Sequence, residues 1–201
     1  MHIKKSHLTI LELFRKNIFL AKTIREISLI LKKDYPTVYN AINDLSKRKI
    51  LKISKVGNAK VCELDLTHET VSILSFLDEQ EALMKKIPNI DKILGFKEFL
   101  DDILLITGSY AKGKQTQKSD IDLAIITIDN AFNKQKLLEN LTSLMHPRIH
   151  LIVLTQKDFV DMLIDKKENF GKEVYKNRLI FRNASRYYEI VKEAIENGFR
   201  G

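Results

Sequence analysis

A single cysteine, Cys62, excludes a disulfide framework and any zinc site built from several thiolates. Three prolines and seven glycines in 201 residues are too few for a collagenous or low-complexity chain. With 44% hydrophobic and 30% charged residues, the chain does not have the composition of a disordered one. No apolar run approaches the roughly 18 residues that a membrane span needs. The first seven residues, Met-His-Ile-Lys-Lys-Ser-His, lack the apolar core of a signal peptide. A soluble, cytoplasmic protein is expected, long enough for two domains.

What charge there is lies unevenly. Residues 1–66 hold fourteen Lys or Arg against six Asp or Glu, whereas residues 67–201 hold twenty of each. The whole formal excess of +8 therefore falls in the first third of the chain. A basic domain on a neutral body points to a polyanion partner, unless the lysines only solvate its surface.

Leu8, Leu11 and Phe14 repeat every three residues, with Ile10 and Leu13 beside them, and predict a first helix over Leu8–Asn17. Thr23 reads as an N-cap, and Glu26 three residues later completes a capping box. The helix it opens buries Ile24, Ile27 and Ile30 or Leu31. Residues 32–36 break the pattern. Pro36 suits the first turn of a new helix, because the amide it lacks would be unpaired there. That helix reaches about Lys47, with Val38, Ile42 and Leu45 inward and Tyr39, Asn40, Asn43 and Lys47 outward. Two alternating runs, Ile50–Val56 and Lys60–Leu66, flank Gly57-Asn58-Ala59 and predict a hairpin.

Three helices followed by a hairpin, over about Ser6 to Leu66, resemble the winged helix-turn-helix regulators of archaea and bacteria. In that family the second helix of the pair enters the major groove and the hairpin tip meets phosphate. The resemblance would place Tyr35, Thr37, Tyr39, Asn40 and Asn43 near bases of double-stranded DNA. Lys32, Lys33, Lys47, Arg48, Lys55, Asn58 and Lys60 would lie near the backbone. Asparagine can read adenine with two hydrogen bonds, and lysine adds salt-dependent affinity. The alternative is a winged helix that packs on a protein or on its own second domain. Residues 1–66 thus read as one domain and residues 67–88 as a connecting helix ending at Pro88, with Val71, Leu74, Leu77 and Leu83 apolar. Residues 89–201 form the second domain.

The chemistry lies in the second domain. The apolar run Ile103–Ile106 predicts a buried strand and leads to Gly108-Ser109, where a short helix begins. Glycine lets a ligand approach the backbone, and a new helix start offers free amides to an anion. The Ser109 hydroxyl adds a donor, and Lys112 and Lys114 add positive charge. Ten residues separate Ser109 from Asp120-Ile121-Asp122, which heads a second apolar run, Leu123–Ile128. Side chains two apart on a strand share a face, about 6.6 Å apart along the chain. Two carboxylates so placed repel unless a cation lies between them, and Mg²⁺ commonly bridges carboxylates to substrate phosphates. Either these are surface aspartates at a strand end, or cradle and carboxylates together form a nucleoside-triphosphate site.

Gly-Ser-Tyr-Ala-Lys-Gly at 108–113 and Ser-Asp-Ile-Asp-Leu at 119–123 resemble the Gly-Ser-x-Ala-Arg-Gly and Ser-Asp-(Ile/Leu)-Asp-Leu motifs of minimal nucleotidyltransferases. These belong to the DNA polymerase β superfamily, and the resemblance runs from about Ile90 to Phe181. It implies an α+β or α/β fold: a winged helix-turn-helix, then a polymerase-β-like domain with a small mixed sheet and C-terminal helices. It also implies transfer of a nucleoside monophosphate from ATP or another NTP, with Mg²⁺ or Mn²⁺. Gly108 and Ser109 would hold the triphosphate, Lys112 would replace an arginine, Lys118 would touch phosphate, and Asp120 and Asp122 would bind the metal.

The family has a third acid on the next strand, often within Val-Asp-Leu-Val. The matching strand here, Arg148–Leu154 after a helix at Asn133–Met145, carries His150 at that position. A neutral imidazole can accept the proton of an attacking hydroxyl but is a poorer ligand for a hard ion. His150 is thus expected either to substitute as the base or to leave a site that only binds nucleotide. Asp129 would lie past the far end of its strand, on the order of 20 Å from Asp122 at about 3.3 Å per residue, and is set aside.

Phe159, Leu163 and Ile164 suggest a further helix. Arg178, Arg182 and Arg186, spaced four apart, are expected to line one helix face. Asn183–Asn197 reads as a closing helix stopped by Gly198. His2, His7, His68 and His146 show no ligand spacing. The sequence leads to a nucleotidyltransferase adenylylating a protein or small molecule, antitoxin-like toward a toxin-like protein acceptor, and fused to a DNA-binding domain. The alternative is a winged-helix regulator with a degenerate, nucleotide-sensing transferase domain. An aminoglycoside-like acceptor has no marked pocket, and homodimerisation is a further expectation.

Overall fold

The computed structural model describes residues 3–201; Met1 and His2 lie outside the described residues. The chain divides into two compact units, Met1–Leu74 and Ser75–Gly201.

The first unit contains α1 (Lys5–Lys16), β1 (Lys22–Thr23), α2 (Ile24–Leu31), α3 (Tyr35–Lys47), β2 (Leu51–Val56) and β3 (Ala59–Leu64). Local chemistry sets its helix starts. The Glu26 amide donates to Thr23 Oγ1 (3.2 Å) and the Thr23 amide to Glu26 Oε2 (2.8 Å), a reciprocal cap that fixes where α2 begins. Asp34 caps α3 by accepting the Thr37 amide at 2.9 Å, and Pro36 sits in the first turn. Leu11, Phe14, Ile27, Ile42, Leu45 and Ile50 are buried together in this unit's apolar interior. Ile30 is exposed, so Leu31 takes the inward position left open between them. The hairpin pairs Leu51 with Leu64 and Val56 with Ala59 around Gly57-Asn58. The two-residue β1, which no periodicity announces, adds a third strand to give the order β1-β3-β2. The unit is a winged helix-turn-helix.

Helix α4 (His68–Leu83) begins in the first unit and runs on into the second across Leu74 and Ser75; it ends at Leu83 and does not reach Pro88. The second unit continues through α5 (Ile90–Leu94), a 3-10 turn at Lys97–Phe99, β4 (Ile103–Thr107), α6 (Gly108–Ala111) and β5 (Ile121–Thr127). Then come α7 (Ala131–Thr142), β6 (Ile149–Thr155), α8 (Gln156–Ile164), α9 (Phe170–Lys176), β7 (Leu179–Arg182) and α10 (Ala184–Glu196). The sheet order is β6-β5-β4-β7, with β5 and β6 parallel and the other pairs antiparallel. This is the small mixed sheet, and its central strands are continuous apolar runs because both faces are covered. Leu104, Ile106, Ile121, Leu123, Ile125, Phe99 and Leu138 form its core. Each such side chain, fully buried, contributes roughly 1.5–3 kcal/mol.

The three arginines do not line one helix. Arg178 precedes β7, Arg182 ends it, and Arg186 lies in α10. Arg182 donates to the Phe99 carbonyl at 3.2 Å and to that of Leu94, and Arg186 to that of Asp101 at 3.0 Å. Arg178 lies over the Tyr187 ring, 4.7 Å from its centroid. Their spacing matches a helical period, but Leu179-Ile180-Phe181 between the first two is a buried strand.

Candidate functional site

The register of three strands builds the site. Thr107, the last residue of β4, pairs with Asp122 of β5, and Asp122 in turn pairs with His150 of β6. The chain leaves β4 at Gly108, whose φ of +65° favours glycine, and turns at once into α6. A Cβ added to Gly108 would stand 1.9 Å from Asp122 Oδ2, so the absent side chain is what makes room for the carboxylate. Ser109 follows in α6, half-buried. Thr107 Oγ1 donates to the Asn177 carbonyl at 2.7 Å and ties the end of β4 to the segment before β7.

Asp120 immediately precedes β5 and Asp122 is its second residue, so both present to one side. The His150 ring stands beside both. Its Nε2 is 3.3 Å from Asp120 Oδ2 and its Nδ1 is 3.5 Å from Asp122 Oδ1. These three side chains are 38%, 35% and 53% exposed, so a ligand can reach them from solvent.

Of the residues expected at the site, the fold brings Gly108, Asp120, Asp122 and His150 together. Lys112, at the end of α6, pairs with Glu173 of α9 at 3.0 Å. Lys118 is exposed in the following loop, where its amide donates to Thr116 Oγ1 at 3.3 Å. Asp129 lies beyond the other end of β5, exposed, its carbonyl accepting Thr127 Oγ1 at 3.0 Å. Sequence reasoning missed Glu173 and Asn177. Glu173 is 61 residues from Lys112 and no spacing rule joins them.

Among the described residues, no three of His, Cys, Asp and Glu are arranged to ligate one metal ion, the set of Asp120, Asp122 and His150 included. Asp120 and Asp122 still fit one hard divalent ion. They supply two accessible carboxylates, that of Asp122 lying directly against the Gly108 backbone, and Mg²⁺ commonly takes one or two carboxylates with water and phosphate oxygens completing its shell. The imidazole in the third position does not extend that hard-oxygen set.

In the winged helix, Tyr35 stacks on Tyr39 with ring centroids 5.9 Å apart, and Lys60 Nζ lies 5.3 Å from the Tyr39 centroid. A hydrogen bond with Asn43, and then the Lys60 ammonium, hold the Tyr39 phenol below its ordinary range. A cleft of about 700 Å³ opens between α2, the start of α3 and the hairpin tip, lined by Arg25, Ser28, Tyr35, Tyr39, Asn58 and Lys60. Arg25 is the residue the sequence reading missed here. Lys32, Lys33, Thr37, Asn40, Lys47, Lys55 and Asn58 are exposed. Arg48 is engaged with Glu69, away from the start of α3.

Residues 88–186 match the family model described as "Polymerase beta, Nucleotidyltransferase". No curated protein matches the chain. Among solved structures, a chain of MepR, described as a transcription regulator of the Staphylococcus aureus multidrug efflux pump MepA, is 21% identical with a TM-score of 0.35. That similarity covers 41% of this chain and 63% of the MepR chain, less than two thirds of its length. No helix among the described residues is long and apolar enough to cross a membrane.

Proposed function

We propose that this chain is a nucleotidyltransferase that moves AMP from ATP onto a hydroxyl of a protein or small molecule, and that its winged helix binds duplex DNA. The observation that carries this reading is the fit of the Asp122 carboxylate against Gly108, which joins a phosphate cradle and an acidic pair on hydrogen-bonded strands. The match of residues 88–186 to the polymerase β nucleotidyltransferase family supports it.

Gly108 and Ser109 hold the triphosphate with backbone amides and a hydroxyl, and Lys112 and Lys118 add positive charge. Asp120 and Asp122 hold Mg²⁺ or Mn²⁺, which when bound neutralises charge on the phosphate oxygens. The acceptor oxygen attacks the α-phosphorus, the bond to the bridging oxygen of pyrophosphate breaks, and pyrophosphate leaves. His150 accepts the proton that the hydroxyl gives up. Positioning and charge neutralisation dominate such transfers, so a site with two carboxylates and a histidine retains the main contributions. A toxin-like protein acceptor would suit a chain that also binds DNA, in an antitoxin-like arrangement.

The imidazole beside both carboxylates favours a second reading, a winged-helix regulator whose second unit senses nucleotide without turnover. Incubation with α-labelled ATP, Mg²⁺ and candidate acceptors separates the two. Transferase activity predicts label on an acceptor, lost in Asp120→Ala and Asp122→Ala, and lost in His150→Ala while nucleotide still binds. If no label transfers to an acceptor or to the chain itself, and the two aspartate variants change only nucleotide binding, the sensor reading stands.

A further inference from the structure

Lys112 does not wait free for a phosphate. Its Nζ lies 3.0 Å from Glu173 Oε1, and the two side chains are 36% and 50% exposed. Lys112 closes α6, four residues after Gly108, so its ammonium hangs from the same short turn that would cradle the triphosphate. Glu173 sits on α9, which leads through Asn177 to the segment tied to Thr107. The carboxylate is therefore anchored on the rim of the site, within reach of the one lysine that the Gly-Ser-Tyr-Ala-Lys-Gly turn contributes.

We propose that Glu173 is a specificity-determining residue of the nucleotide site: its carboxylate competes with substrate phosphate for the Lys112 ammonium and so sets nucleotide affinity. This rests on the reading of Gly108, Ser109 and Lys112 as the triphosphate cradle. A triphosphate, with several charged oxygens, displaces the single carboxylate. A monophosphate, with less negative charge and fewer oxygens, displaces it less readily, so the ion pair discriminates by phosphate charge. An exposed pair of this kind is weak enough to break for a correct ligand and strong enough to register in a binding constant.

The test is calorimetric titration of the full chain with ATP, and separately with AMP, at fixed Mg²⁺ and ionic strength. The variants are Glu173→Gln, Lys112→Met and the double variant. Glu173→Gln should tighten ATP binding by about two- to fivefold, the range of a surface ion pair, and narrow the preference for ATP over AMP. In the Lys112→Met background the same change should have no effect, because the contested ammonium is gone. An unchanged ATP Kd in Glu173→Gln overturns the inference, as does an equal gain with and without Lys112, which would mark long-range repulsion. Wild-type protein that binds no ATP at all would instead bring down the cradle reading, and this inference with it. Unchanged circular dichroism and melting of Glu173→Gln separate a loss of competition from a disturbed α9.

Discussion

Gly108 and Asp122 occupy one space: the position a Cβ would take on residue 108 lies 1.9 Å from the Asp122 Oδ2 atom. Gly108→Ala therefore meets two penalties. An alanine at φ +65° costs on the order of 1–2 kcal/mol, and the carboxylate must also swing away. Nucleotide affinity should fall by about tenfold or more, as one charge-assisted contact is lost. Adding Asp122→Ala to Gly108→Ala removes the clash without restoring binding, so melting temperature should partly recover while ATP affinity does not. A Gly108→Ala chain with native ATP affinity would show that the turn at Gly108 is not the cradle.

The sequence made this relationship legible for a physical reason. A positive-φ glycine after an apolar strand, and two carboxylates heading another, are local signals, and strand pairing joins them. The capping box at Thr23 and Glu26 is equally local, and so is the place of Pro36 in the first turn of α3, where the Asp34 side chain that caps the helix was not among the signals read. What depended on distant partners stayed hidden. Strand β1 exists only because Lys22 and Thr23 pair with Cys62 and Val61. Glu173 meets Lys112 through the packing of the fold. The four-residue spacing of Arg178, Arg182 and Arg186 imitated a helix while the chain crossed a strand too short to announce its own period.

Another long-range pair that no pattern signalled is Asp102 with Lys134. Asp102 is 2% exposed, and Lys134 Nζ donates to its two oxygens at 2.8 and 2.7 Å and to Thr127 Oγ1 at 2.9 Å. Removing only the cation strands a buried carboxylate, which costs about 3–5 kcal/mol. Lys134→Met should lower stability by that order in urea denaturation, and Lys134→Met with Asp102→Leu should recover much of it. Equal stability of Lys134→Met and the wild type would mean that water, not lysine, satisfies Asp102.

If the winged helix grips a DNA backbone, its affinity must respond to salt. The logarithm of the binding constant for duplex DNA should fall linearly with the logarithm of salt concentration. Lys32→Ala, Lys33→Ala and Lys55→Ala should each weaken binding to all sequences alike and reduce the slope by about one. Asn40→Ala should behave differently, lowering affinity for a preferred sequence while leaving the slope intact. Lys52→Ala makes a useful control, because that lysine is held by Asp65 at 3.1 Å. Salt-independent affinity would remove the DNA backbone as what this unit grips, and equal slopes in all variants would remove these lysines as its phosphate contacts.

Acid should erode the winged helix in two separate windows. Burial lowers the His7 imidazole below its ordinary 6.5, an effect that the Asp44 carboxylate partly offsets. The unfolded chain therefore binds that proton more readily than the folded one, so the stability linked to neutral His7 is complete above about pH 6.5 and declines as the pH falls below it. Glu26 lies lower. Acceptance of the Thr23 amide, with help from Lys22 and the Thr23 hydroxyl, holds its carboxyl at about 2 against an ordinary 4.5. Its contribution is complete above about 4.5 and is lost as the pH falls towards 2. Urea titrations at stepped pH should show His7→Gln flattening the decline in the upper window only. Glu26→Gln, which keeps an acceptor for the cap, should lessen the decline in the lower window only, where Asp34 and Asp44, also held below their ordinary 3.8, keep the rest of it. A single variant that flattens both windows would mean that one shared network, and not two separate groups, carries the proton linkage.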